Sequence, residues 1–161
     1  MIIKNKKAFW LWAAVSLLCM IFIFWFSSQN ADESSELSGS LSARILDAAQ
    51  DWFSITISEP SKDIMEVAVR KAAHFFIYFV FGFCTANTIR QITDNRRYIF
   101  GVSLCWCSLY AATDEWHQYF VPGRSCMWQD WLLDTSGVLL GVGTAFLAVR
   151  FAHIVKNRKR R

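Results

Sequence analysis

Residues 8–26 read AFWLWAAVSLLCMIFIFWF, nineteen residues without a charge. At 1.5 Å per helical residue the block spans roughly 28 Å, close to the ~30 Å hydrocarbon thickness of a bilayer. It exceeds the core of about 7–15 residues of a secretory signal. It also leaves through Trp25, Phe26, Ser27, Ser28 and Gln29 rather than through a small-x-small cleavage site. The block therefore reads as a retained membrane anchor.

Three further apolar blocks follow. Ala72–Ile89 (AAHFFIYFVFGFCTANTI) holds one histidine and no formal charge. Tyr98–Thr113 (YIFGVSLCWCSLYAAT) is short for a span by itself, so its helix is expected to continue through Asp114, Glu115, Trp116, His117 and Gln118. Trp131–His153 carries one internal acid, Asp134, and small residues at Gly137, Gly141 and Gly143 that permit close helix packing. The reading is all-α: a single polytopic membrane domain over residues 1–161, with spans at about 8–26, 72–90, 98–118 and 131–153. The composition agrees. Only 19% of residues are charged, against about 25% in soluble domains, and a hydrophobic share of 54% excludes a disordered chain. Cys19, Cys84, Cys105 and Cys107 fall in apolar spans as small packing residues, and Cys126 lies outside them. This is not the pattern of a disulfide scaffold.

An even number of spans puts both termini on one side, and positive charge decides which. The N-terminus, the loop between the second and third spans and the tail hold twelve Lys and Arg, whereas the other side holds five: Arg44, Lys62, Arg70, Lys71 and Arg124. Both termini are predicted to be cytoplasmic. The tail KNRKRR (156–161) then serves topology and contact with anionic lipid heads, and no nucleic-acid partner is expected. The long loop between the first two spans is expected to be extracytoplasmic and helical. Leu37, Leu41, Ile45, Ala48, Ala49, Trp52 and Phe53 recur at helical spacing there. Ser61, after Pro60, is the expected N-cap of the helix that runs into the second span.

Ionisable groups at membrane depth are costly and usually face a bundle interior or an aqueous cavity. Two clusters qualify. In RKAAHFFIY, Arg70, His74 and Tyr78 are spaced i, i+4, i+8, with Lys71 three residues before His74. In DEWHQYFVPGRSCMWQDWLLD, Asp114 and Gln118 lie one turn apart, Arg124 follows a Pro–Gly turn, and Asp130 and Asp134 form another i, i+4 pair. By the topology above, both clusters face outward. Arg70, His74, Asp114, Glu115, Arg124 and Asp130 are expected to converge, since scattered ions would each lack a partner.

On these residues the chain resembles the VanZ-like membrane proteins. The family's Arg-Lys pair and His-Phe-x-x-Tyr segment stand here as Arg70, Lys71, His74, Phe75 and Tyr78. Its Asp-Glu-x-x-Gln segment, Pro-Gly-Arg turn and following Asp and Gly stand as Asp114, Glu115, Gln118, Pro122, Gly123, Arg124, Asp130, Gly137 and Gly141. Phe26, Ser27, Ser28 and Gln29 also look like the family, and the resemblance runs from Trp25 to about Val142. It implies a helical membrane protein of the cell envelope. The founding member is associated with teicoplanin resistance, which implies a possible effect on glycopeptide susceptibility but no particular reaction.

Three readings of the cluster stand side by side. Arg70 or Arg124 could pair with Asp114, Glu115 or Asp130 merely to lock helices. Alternatively, Arg70, Lys71, Tyr78, Gln118, Arg124 and Asp130 bind an anionic lipid head, a lipid-linked wall precursor or a glycopeptide-like carboxylate, which suits forked guanidinium donors. In an enzyme, Glu115 or Asp114 would act as base and His74 as acid or base, on an envelope lipid. No HExxH, nucleotide-binding or dinucleotide-binding pattern occurs, so no metal or other cofactor is expected. A metal variant would have to recruit His74, His117, Asp114 and Asp130. The expected partners are membrane lipids.

Overall fold

The computed structural model of the chain describes residues 3–30, 39–41, 43–45, 47–48, 59–124 and 126–158. Among these residues there are four long helices and no strand: α1 (Lys6–Ser27), α2 (Glu59–Arg90), α3 (Arg96–Gln118) and α4 (Trp128–Arg158). Each begins or ends where local chemistry allows. The Asn5 side chain accepts from the Ala8 N–H to cap α1, and that of Asn95 accepts from the Arg97 and Tyr98 N–H groups to cap α3. At α2 the expected cap is corrected, because the helix has already started at Glu59. Ser61 lies inside it, and Pro60 occupies the first turn, where its missing N–H costs nothing. The described residues between 39 and 48 are helical, as the apolar spacing suggests. Leu37, Ala49, Trp52 and Phe53 lie outside the described residues.

Three helical stretches, Lys6–Ser27, Ile64–Arg90 and Trp128–Arg158, are long and apolar enough to cross a membrane. This marks the chain as a membrane protein. Its polarity is inverted relative to a soluble bundle. Trp10, Leu11, Phe24, Phe76, Leu109 and Phe151 are exposed, while Ser27, Ser103, Asp114, Glu115, Gln118 and Asp134 are buried. Cys105 also faces outward, unlike the buried Cys19, Cys84 and Cys107, and all the cysteines are free. Trp131 is partly buried and its indole N–H donates to the Ser108 carbonyl (3.1 Å).

The central helix is α2, which packs on the other three and most extensively on α4. Glycine makes that approach possible. A Cβ at Gly137 would stand 2.5 Å from the Phe75 carbonyl oxygen, one at Gly141 2.0 Å from that of Phe79, and one at Gly82 2.6 Å from that of Val138. Gly143, read as part of the same run, has open space around it. Hydroxyls stitch the helices further, with Ser108 and Thr135 at 2.9 Å and the Tyr110 hydroxyl donating to the Met20 carbonyl (2.8 Å). At one end of the bundle Lys4 pairs with Asp94, and Arg90 lies over the Phe146 ring. At the other end the polar residues gather.

Candidate functional site

The backbone places the site in two steps. The α2–α4 glycine contact sets His74 on α2 against Asp134 on α4, since Phe75 follows His74 and Gly137 lies about one helical turn after Asp134. Beyond α3 the chain turns through Val121–Arg124. Here the Arg124 N–H donates to the Val121 carbonyl (3.1 Å), and Gly123 has a φ of 76°. Proline followed by a positive-φ glycine is the signature of a type II turn. The turn carries Arg124 back to the end of α1, where its Nη2 donates to the Phe26 carbonyl (3.1 Å), which also accepts from the Gln29 N–H (3.4 Å). Farther along, the Met127 N–H donates to Glu115 Oε2 (3.0 Å) and ties the start of α4 to α3.

These constraints enclose a cavity of about 310 Å³ whose wall includes Arg70, Lys71, His74, Glu115, Gln118 and Arg124. Asp130 and Asp134 also line it. The structure thus brings together residues from α2, the end of α3, the turn and the start of α4. Asp114 sits just behind this wall, buried, accepting from Gln118 Nε2 (3.2 Å). Tyr78 is fully buried and lies outside the lining, one turn deeper than His74. His117 leaves the group altogether: its Nε2 lies 3.2 Å from the Ser28 hydroxyl and its ring stacks on Phe24.

The pairing differs from the expected one. Lys71, not an arginine, forms the ion pair with Asp130, at the half-exposed rim. Among the described residues, neither Arg70 nor Arg124 pairs with a carboxylate. Arg124 Nε is buried with no hydrogen-bond partner. Burial pushes the Arg124 guanidinium below its ordinary pKa and the like charge of Arg70 adds to the shift, with Asp114 and Glu115 opposing it. Even so, an arginine keeps its charge. Two guanidinium groups that repel one another, with no carboxylate partner among the described residues, leave a place for an anion.

Asp134 is the residue that sequence reasoning left out of the site. It is 1% exposed, and among the described residues neither of its carboxylate oxygens has a hydrogen-bond partner. Its spacing from Asp130 was visible, but nothing in the sequence indicated that Asp130 would take the lysine and leave Asp134 alone. A second, more apolar cavity of about 210 Å³ adjoins the first. Ile23, Phe26, Leu41 and Ile77 line it, and it shares Arg70, His74 and Arg124 with its neighbour.

A family model described as VanZ/LLP1 matches residues 12–149 of the chain. No curated protein and no solved structure matches it.

Proposed function

This chain belongs to the VanZ/LLP1 family, and we propose that it binds an anionic lipid, with the head in the polar cavity and an acyl chain in the apolar one. The observation that carries this reading is the shared wall. Arg70, His74 and Arg124 border both cavities, so an amphiphile laid across them meets guanidinium groups at one end and Ile23, Phe26 and Ile77 at the other. A phosphate or carboxylate matches the planar fork of an unpaired arginine. The apolar chamber favours a lipid or a lipid-linked wall precursor over a free glycopeptide.

In the same reading α3 is a fourth span. Its 23 residues cover roughly 34 Å, and its acids Asp114 and Glu115 are buried within the bundle rather than turned to lipid. Four spans and the twelve-to-five charge bias put both termini in the cytoplasm and the cavity on the outer side of a bacterial cell membrane. Wall precursors and the heads of outer-leaflet lipids are displayed there. Altered glycopeptide susceptibility would follow from capture of such a lipid.

The test compares purified wild type with Arg124→Lys for binding of a short-chain phosphatidylglycerol, the matching phosphatidylcholine and inorganic phosphate, alongside thermal stability. Phosphatidylglycerol is expected to bind best. Arg124→Lys keeps the charge but loses the fork, which should weaken binding about tenfold with little change in stability. Equal lipid binding accompanied by a large loss of stability would contradict the reading and leave Arg124 a packing residue. Inorganic phosphate binding as tightly as the lipid would remove the acyl chain from it.

A further inference from the structure

Behind the polar cavity, three helices each contribute one potential ligand to a single point. One ring nitrogen of His74 on α2, one carboxylate oxygen of Asp114 on α3 and one of Asp134 on α4 all lie within 4.8 Å of one another. His74 Nδ1 is 4.0 Å from Asp134 Oδ2. Two donors about 2.1 Å from a common ion can stand at most about 4.2 Å apart. Ligands arranged tetrahedrally about such an ion stand about 3.4 Å apart, so His74, Asp114 and Asp134 close on a common ion when each side chain moves inward by under an ångström. We propose that His74, Asp114 and Asp134 hold a divalent transition-metal ion.

A second observation points the same way. Asp134 has been taken from water, yet among the described residues neither of its oxygens finds a hydrogen-bond donor. Among the described residues no lysine or arginine comes within ion-pair distance of Asp114 or Asp134. Lys71 is engaged by Asp130, and Arg124 by the Phe26 carbonyl. The buried hydroxyls of Ser27 and Tyr78 face Asp114, neutral donors that bring no compensating charge. Two buried carboxylates beside an imidazole, all inside an apolar bundle, are a costly arrangement when nothing positive sits between them. A divalent ion supplies that charge.

Charge across the whole site leads to the same place. Arg70, Lys71 and Arg124 face four carboxylates: Asp114, Glu115, Asp130 and Asp134. With neutral His74 the site alone is net negative, and a divalent ion makes it net positive. One imidazole nitrogen with two carboxylate oxygens suits Mn²⁺, Fe²⁺ or Zn²⁺ better than the all-oxygen preference of Mg²⁺ or Ca²⁺, and without a thiolate it does not favour Cu(I). Gln118, donating to Asp114, orients one ligand, as partners of metal ligands commonly do. His74 and Asp134 also line the cavity, so the ion faces it. This inference stands on the three ligands and does not depend on the lipid reading.

The test takes the full chain, purified in detergent and stripped with a chelator, and titrates it with Mn²⁺ or Zn²⁺ alone. One ion per chain is expected, with a rise in melting temperature on binding and nitrogen coupling in the pulsed EPR signal of bound Mn²⁺. Asp134→Asn and His74→Ala should each weaken binding by at least the roughly 10–100-fold that loss of an outer partner costs, and His74→Ala should remove the nitrogen coupling. Asp94→Asn, an exposed acid at the other end of the bundle, should change nothing. Metal-free Asp134→Asn should melt no lower than metal-free wild type, because it loses an unpaired buried charge, whereas a purely structural Asp134 would make it less stable. Absence of uptake at millimolar free metal, or undiminished uptake by Asp134→Asn, would overturn the proposal.

Discussion

Arg124 owes its position to a single residue, Gly123, whose φ of 76° lies where a side chain is strained. Gly123→Ala should cost about 1–3 kcal/mol if the turn is kept. If the turn relaxes instead, the guanidinium swings off the Phe26 carbonyl. Either way, phosphatidylglycerol binding and thermal stability measured together should show binding falling by more than the stability loss explains. Unchanged binding would mean that Arg124 is not held by the turn. The Arg70–His74 repeat was legible because helical periodicity alone puts both on one side, and both line the cavity. Tyr78 followed the same periodicity, but one more turn carried it into the core. The cation that takes Asp130 was not legible. Lys71 and Arg70 are adjacent in sequence, and the packing of α2 on α4 brings Lys71 to it.

At the scale of elements, the α2–α4 contact is the joint on which the site depends, and the small residues in the fourth apolar block announced it. Which of them mattered was hidden, since spacing does not say which face a neighbour will cover. Gly141→Ala would place a Cβ 2.0 Å from the Phe79 carbonyl oxygen, a backbone atom that cannot move without parting the helices. Overpacking of this kind typically costs about 1–3 kcal/mol. Gly143→Ala meets open space and should gain up to about 1 kcal/mol of helix propensity. Thermal denaturation of the two variants in detergent should therefore move in opposite directions. A Gly141→Ala protein as stable as wild type would show that the close approach is not needed. The helix extents were readable from block length. The start of α2 was misplaced because proline reads as a breaker, although in a first turn it is compatible with the helix.

For the whole molecule, an apolar exterior around a polar interior is the property from which the rest follows, and composition already indicated it through the low share of charge. The gathering of charged residues at one end could be expected from cost alone, but Asp134's lack of a hydrogen-bond partner among the described residues and the adjoining apolar chamber depend on tertiary packing that no local pattern encodes. Orientation is tested by single cysteines on a background lacking the exposed thiols Cys105 and Cys126. Gly39→Cys should be labelled in intact cells and Asn95→Cys only after permeabilisation, and labelling of both from the same side would refute the four-span topology. The central claim, that this bundle holds an anionic lipid between two guanidinium groups, is tested most directly by a crystal structure of the protein grown in a lipid mesophase containing phosphatidylglycerol. Head-group density is expected between Arg70 and Arg124, with an acyl chain running past Ile77 towards Ile23. Arg70 and Arg124 folded onto Glu115 and Asp114, with both cavities closed, would contradict it.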